Sequence, residues 1–212
     1  MNEKFFDLKK EKQDRMINAA LKVFALNGYR HASTDDIVRE AAISKGLLFH
    51  YFENKLGVYA FVYDYSVRYL LLELSTAVDA KETDLFTLMQ QVETGKMHAM
   101  CGYPYLQPFL NRAQTENVSE ALLAVEERKQ QLEDYLESVF ARADLGKYAS
   151  AEDAVKLRKM LELTIKGLMN ERILEDAFQP EMLYEEITEY LNLSRRLAER
   201  STQPSDEAFS EK

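Results

Sequence analysis

Glycine and proline are scarce in this chain, seven and four in 212 residues. With so few turn formers among many Ala, Leu, Glu and Lys, a fold of short strands and tight turns is excluded, and no alternating run bounded by turn clusters appears. The expected fold class is all-α. A single cysteine, Cys101, rules out an intramolecular disulfide framework and fits a reducing compartment, with the cytoplasm as the expected location. No stretch approaches the roughly 18 apolar residues that a membrane helix needs. The N-terminus, MNEKFFDLKKEKQDRM, is charged throughout and lacks the apolar region of a signal peptide. A soluble, unprocessed protein with no membrane partner is therefore expected. Catalytic signatures are missing as well: there is no GxGxxG, P-loop, GxSxG or HExxH. The histidines stand far apart at 31, 50 and 98, and His98-x-x-Cys101 lacks an evident third ligand. No enzyme activity, cofactor or metal is expected.

What is present is apolar residue in quantity, 46% of the chain, enough to bury a sizeable core. Charge is distributed unevenly. Residues 1–57 hold ten Lys/Arg against eight Asp/Glu, a net of +2, and the remainder of the −9 total leaves −11 beyond Gly57. A mildly basic head on an acidic body suits a polyanion at the head end, although solvated faces would give the same difference.

The head divides into short helices by its own punctuation. From Lys12 to Leu26, Met16, Ile17, Ala20, Val23 and Phe24 fall at helical spacing, and Asn27-Gly28 supplies a left-handed stop. A second helix of about two turns begins at Ser33 or Thr34, with Asp35 and Asp36 in its first turn. Ser44 caps a third helix, KGLLFHYF, ending at Glu53, and Asn54 caps a long fourth one from Lys55. Two short helices joined by a turn and braced by a longer one match a helix-turn-helix, whose second member enters the DNA major groove. In the third helix Leu48 and Phe52 share a face that can close on Ile43, Ile37 and Phe24. Lys45, Gly46, Leu47, Phe49, His50 and Tyr51 lie largely outside that face, free for DNA or for packing on the first helix or the body.

From Lys12 to Val62 the chain resembles the DNA-binding domain of the TetR family of transcriptional repressors, on Ala20, Phe24, Gly28, Thr34, Ile37, Ala41, Ser44, Gly46, Leu48, Tyr51-Phe52 and Lys55. The resemblance covers roughly the first quarter of the chain. It implies an all-helical homodimer, an N-terminal three-helix helix-turn-helix domain on DNA, and a C-terminal helical domain that binds a small molecule and dimerises. By position, Lys45, Gly46, Leu47, Phe49, His50 and Tyr51 match the family's groove- and backbone-facing residues, and Thr34 and Lys55 its phosphate contacts. Three positions depart from the usual pattern. Ala42 stands where the family often has a glycine in the turn; Leu47 replaces a common threonine and Phe49 a common tyrosine. The two lost hydroxyls leave apolar surface suited to thymine methyl groups.

Beyond the head, Lys55 to about Val78 is apolar on more than one side and reads as a lever between head and body. Asp84 to about His98 is a further helix, broken by Gly102 and Pro104, with Pro108 awkward inside any helix. Around that break lie Met97, Met100, Cys101, Tyr103, Tyr105 and Phe109, which with Met89 and Phe140 form the expected lining of a cavity for a small apolar or amphipathic effector; ordinary core is the other reading. Ser119 to Ala143 is a charged amphipathic helix, and Ala151 to Leu174 and Pro180 to Arg200 form a last pair. Leu157, Leu161, Thr164 and Leu168 on the first of these, with Leu183, Ile187, Tyr190 and Leu191 on the second, are the expected dimer interface by resemblance; the same stripes suit intramolecular packing equally. The expected organisation is a helix-turn-helix domain at 10–56 with its motif at 33–52, a ligand-binding and dimerisation domain at 57–200, and a disordered tail at 201–212. The expected function is a ligand-responsive repressor that binds a palindromic double-stranded operator as a homodimer. The alternative is a helical protein binding a partner protein or small molecule through a head that no longer binds DNA.

Overall fold

Each helix of the head starts where a side chain satisfies free backbone N–H groups. In the computed structural model, which describes residues 3–148, 150–174 and 178–200, Ser33 accepts from the Asp35 amide at 3.1 Å, Ser44 from Leu47 at 3.2 Å and Asn54 from Gly57 at 2.8 Å. These caps open α2 (Thr34–Glu40), α3 (Lys45–Phe52) and α4 (Lys55–Ala77). The first helix, α1 (Lys10–His31), runs past the expected end at Leu26. Gly28 sits inside it at φ 67°, so the left-handed residue is present but makes a kink, after which helix resumes to His31. Gly57 is required for another reason. A Cβ there would lie 2.0 Å from the Phe52 carbonyl oxygen, so only glycine lets α4 start this close to the end of α3.

Among the described residues there are nine α-helices and no strand. The body adds α5 (Leu85–Gly102), α6 (Leu106–Ala113), α7 (Ser119–Phe140), α8 (Ala151–Arg172) and α9 (Pro180–Arg200). α5 continues through Cys101 and Gly102, a turn beyond the expected end at His98. Pro108 is accommodated because it falls in the first turn of α6, where an N–H has no intrahelical partner to lose. The expected tail at 201–212 lies outside the described residues.

Two apolar cores organise these helices. The larger runs without interruption from the head into the body, joining Phe24, Ile37, Leu48 and Phe52 to Tyr59, Val62 and Leu70 of α4, Phe109 and Leu110 of α6, and Val125 and Leu132 of α7. Its centre is aromatic: Phe24 meets Tyr59 edge-on at 5.0 Å, and Tyr59 meets Phe109 at 5.4 Å. The smaller core closes α5 against α8 and α9 through Phe86, Met89, Met100, Leu161, Ile165, Met169, Leu183, Ile187 and Leu191.

Phe5 was not anticipated from the charged N-terminus. A 3-10 turn at Glu3–Asp7, held by Gln13 donating to the Leu8 carbonyl at 2.7 Å, buries its ring 4.9 Å from Phe61, 5.3 Å from Phe52 and 5.8 Å from Tyr51. The back of α3 is thereby fixed on an aromatic platform.

Candidate nucleic-acid interface and effector cavity

Leu48 and Phe52 are buried, so the phase of α3 is set and its opposite face turns outward. Lys45, Gly46 and His50 are exposed, and Leu47, Phe49 and Tyr51 are half-buried. A Cβ at Gly46 would meet nothing within 4 Å, so nothing in the protomer demands glycine there. Tyr51 stands between the Phe5 platform and His50, whose ring lies 4.9 Å away, and its body is committed to packing. Ala42 has φ 52°, a left-handed conformation that costs an alanine about 1 kcal/mol. Thr34, half-buried, opens α2.

Cations of the head are matched by its own acids. Lys45 pairs with Asp35 at 2.8 Å, Lys22 with Glu40 at 2.6 Å and Arg39 with Asp36 at 2.5 Å. A phosphate would have to compete with these carboxylates. Lys55, expected at a phosphate, turns its ammonium inward. It donates to the Tyr29 carbonyl at 2.9 Å and the Ala32 carbonyl at 3.3 Å and lies 4.5 Å from the Tyr29 ring centroid. There it closes the C-terminal end of α1, where a cation also meets the negative end of the helix dipole.

Tyr29 carries the junction to the body. Its amide donates to Glu116 at 2.8 Å and its hydroxyl to Glu120 at 2.6 Å. Although burial works against ionisation, amide donors from Asn117, Tyr29 and Val118 and the nearby Arg112 hold the Glu116 carboxyl below its ordinary range. Tyr103 makes a second junction: its hydroxyl donates to Asp14 at 2.6 Å, receives Lys10 at 3.1 Å and shares a hydrogen bond with Tyr65 at 2.7 Å. Burial and these partners push its phenol upward.

The body encloses a cavity of about 420 Å³ between α4, α5, α6, α7 and α8. Of the residues expected to line it, Met89 and Phe140 do so. The other six are not among its lining. Phe109 and Tyr103 belong to the head–body core and Met100 to the smaller core. Tyr105 packs 6.4 Å from Phe178. Met97 and Cys101 lie together, their sulfurs 3.5 Å apart, with Cys101 exposed beside Glu181 and its thiol pushed up by burial and that carboxylate. In their place the cavity presents Tyr63, Leu70, Leu110, Leu132, Leu136 and Ile165, and a polar wall from Gln107, Asn111, Gln114 and Lys166. The signal for that wall was the one-per-turn spacing of Gln107 and Asn111 on α6 and Gln114 at its C-cap.

The expected dimer stripes also resolve into two sets. Leu161, Leu183, Ile187 and Leu191 are buried within the protomer, and Leu157 and Leu168 pack at the edge of the same core. Tyr190, of the expected set, faces outward, and the other exposed apolar residues were not among it: Met160 is 56% exposed, Leu163 58%, Leu174 76% and Met182 62%, with Leu193 alongside. Thr164 lies half-buried beside this outer set.

A capped α2–α3 pair with an outward α3 face is the arrangement that the comparisons with known proteins bear on. Residues 16–60 match the model for bacterial regulatory proteins of the tetR family. In this segment the chain is similar to the TetR family. It is 36% identical over 78 residues to the uncharacterized HTH-type transcriptional regulator YuxN of Bacillus subtilis, across 35% of this chain and 26% of the relative. It is 41% identical over 49 residues to the uncharacterized HTH-type transcriptional regulator TtgW of Pseudomonas putida, across 23% of this chain and 37% of that protein. The chain thus spans about a quarter to somewhat over a third of the curated relatives it matches. The whole fold is similar to that of a TetR family transcriptional regulator from Chloroflexus aurantiacus, with TM-score 0.61 and 23% identity over 94% of this chain and 93% of that one. It is similar also to the fatty acid degradation regulator FadR from Bacillus halodurans, with TM-score 0.58 and 19% identity over 84% and 96% of the two chains. Among the described residues no helix is long and apolar enough to cross a membrane.

Proposed function

We propose that this TetR-family chain is a ligand-responsive transcriptional repressor, acting as a homodimer on a palindromic operator and released by a small amphipathic molecule held in the body. The observation that carries the reading is α3: an exposed face with an open Gly46, backed by the buried Leu48, Phe52 and Phe5. Residues 10–56 form the DNA-binding part and 57–200 the effector and dimerisation part. Lys45, Gly46, Leu47, Phe49 and His50 meet the groove, Thr34 at the N-terminus of α2 meets a phosphate, and Tyr51 adds its hydroxyl at the edge of the contact. Lys55 serves the interface indirectly, by fixing the end of α1. The outward residues Met160 and Leu163 on α8 and Leu174 just after it, with Met182, Tyr190 and Leu193 on α9, support a bundle of two protomers, as apolar surface that a monomer would leave in water. α6 touches both functions: Phe109 on one side packs on Phe24, and Gln107 and Asn111 on the other reach the cavity.

The deciding measurement is salt-dependent binding to the palindromic duplex upstream of the chain's own gene, with half-sites about 34 Å apart. Tight binding that needs both half-sites supports the repressor; a dimer that ignores every such duplex favours a head turned to protein or small-molecule partners, for which the Lys45–Asp35 pairing speaks. Replacing thymine by uracil in the middle of each half-site is expected to weaken binding, because Leu47 and Phe49 offer methyl contacts in place of hydroxyls.

A further inference from the structure

The polar wall of the body cavity is incomplete in two places about two helical turns apart. Gln107 is only 7% exposed, and its side-chain oxygen is buried with no hydrogen-bond partner. Its amide nitrogen is used, donating to the Asn111 side-chain oxygen at 2.9 Å, so what is missing at Gln107 is a donor. The second place is Lys166 on α8. Its ammonium donates to the neutral Gln114 side chain at 2.8 Å, and among the described residues no carboxylate lies within ion-pair distance of it. Burial, followed by the charges of Lys159 and Lys96, lowers the affinity of this lysine for its proton, and the more weakly acting Glu162 only partly offsets them.

Neighbouring acids do not fill that gap. Glu93 is held by Lys96 at 2.6 Å, and Glu162 is shared by Arg158 at 3.5 Å and Lys159 at 3.9 Å. Glu133 and Glu137 line the cavity from α7, the wall that also carries Lys129. The lining carries five cations, Lys96, Lys129, Arg158, Lys159 and Lys166, against four carboxylates, Glu93, Glu133, Glu137 and Glu162; a net of +1 neutralises one negative charge, which fits a carboxylate better than a doubly charged phosphate. The two gaps stand at opposite ends of the Gln107–Asn111–Gln114 row, and seven residues of helix make the separation about 10 Å. The same cavity also presents apolar surface from Leu70, Met89, Leu132 and Phe140.

We infer that the cavity takes an organic monoanion, its carboxylate at Lys166, a hydroxyl or N–H donor about 10 Å away at Gln107, and an apolar body between them. This assignment rests on the cavity being the effector site proposed above. Each anchor supplies what the protein lacks: the carboxylate gives Lys166 a counter-ion, and the donor satisfies the buried Gln107 oxygen.

Calorimetric titration of the full-length protein with decanoate, ω-hydroxydecanoate and decanediol, run beside a DNA-release assay, tests it. The expected order is ω-hydroxydecanoate tightest, then decanoate, then decanediol. Lys166→Gln is expected to weaken both acids about tenfold and leave decanediol unchanged. Gln107→Leu is expected to erase the preference for the hydroxylated acid while decanoate binding persists, which also shows that the variant is folded. Decanediol binding as tightly as the acids, or acid binding indifferent to Lys166→Gln, overturns the anion assignment and leaves the effector cavity standing. The expected order without release of DNA keeps the ligand class and overturns the effector role; no binding by any of the three overturns both.

Discussion

The head and the body of this chain spend their side chains in opposite ways. In the head, bulky residues close on one another: Phe5, Phe52 and Phe61 pack together, Phe24 meets Tyr59, and Lys22, Arg39, Lys45 and Lys55 are paired with local acids or carbonyls. The body withholds. It keeps a cavity with an unpartnered Gln107 oxygen, and it leaves Met160, Leu163, Leu174 and Met182 in solvent. A region that presents one fixed surface gains from rigidity, whereas the unsatisfied groups of the body are what the proposed effector and second protomer would use.

The sharpest way to break this contrast is through the core that both regions share. Phe24→Ala is expected to cost about 3–5 kcal/mol, and chemical denaturation should show head and body unfolding together, since Phe24 touches both Tyr59 and Phe109. Separate transitions would mean that the two regions are energetically independent. Glu116→Gln removes the carboxylate that receives the Tyr29, Asn117 and Val118 amides, with an expected loss of about 1–3 kcal/mol. Because Glu116 is held below its ordinary range, its contribution is complete above the unfolded glutamate value of 4.5 and is lost as pH falls through the lower folded value. Thermal melts of the Gln variant in acid should therefore fall off less steeply than those of the parent. Ala42→Gly should stabilise the head by about 1 kcal/mol, because the φ of 52° costs glycine nothing. The smallest effect on the protomer comes from Leu163→Glu, expected within about 0.5 kcal/mol in a unimolecular melt. Sedimentation should nevertheless show it as a monomer; a dimer unchanged by this substitution would move the interface away from the α8–α9 stripe.

The difference between the regions also governs how much could be read from the chain. Ser33, Ser44 and Asn54 announced three helix starts, and the one-turn spacing of Leu48 and Phe52 told which face of α3 is buried. These are local signals, complete within a few residues. Phe5 was illegible, because a lone Phe-Phe pair in a charged segment gives no period and finds its pocket only once α3 and α4 are assembled. On α8, Leu157, Leu161 and Leu168 form one stripe and Met160 and Leu163 begin another, and both satisfy helical spacing. Packing on α9 and α5 chose the first for the inside. The aromatic and sulfur-bearing residues around Cys101 suggested a cavity by composition, yet Phe109 and Tyr103 were claimed by the head–body contact, and the polar wall came from Gln107, Asn111 and Lys166.

By itself the sequence determined the all-helical class, the boundaries of α2 and α3 and the buried face of α3, since capping, propensity and period act between residues a turn apart. Tertiary structure alone decided where the cavity lies, which of two stripes on α8 faces solvent, and that Lys55 closes α1 instead of reaching outward. Those outcomes depend on helices distant in the chain competing for the same side chains, and no local pattern records which contact wins.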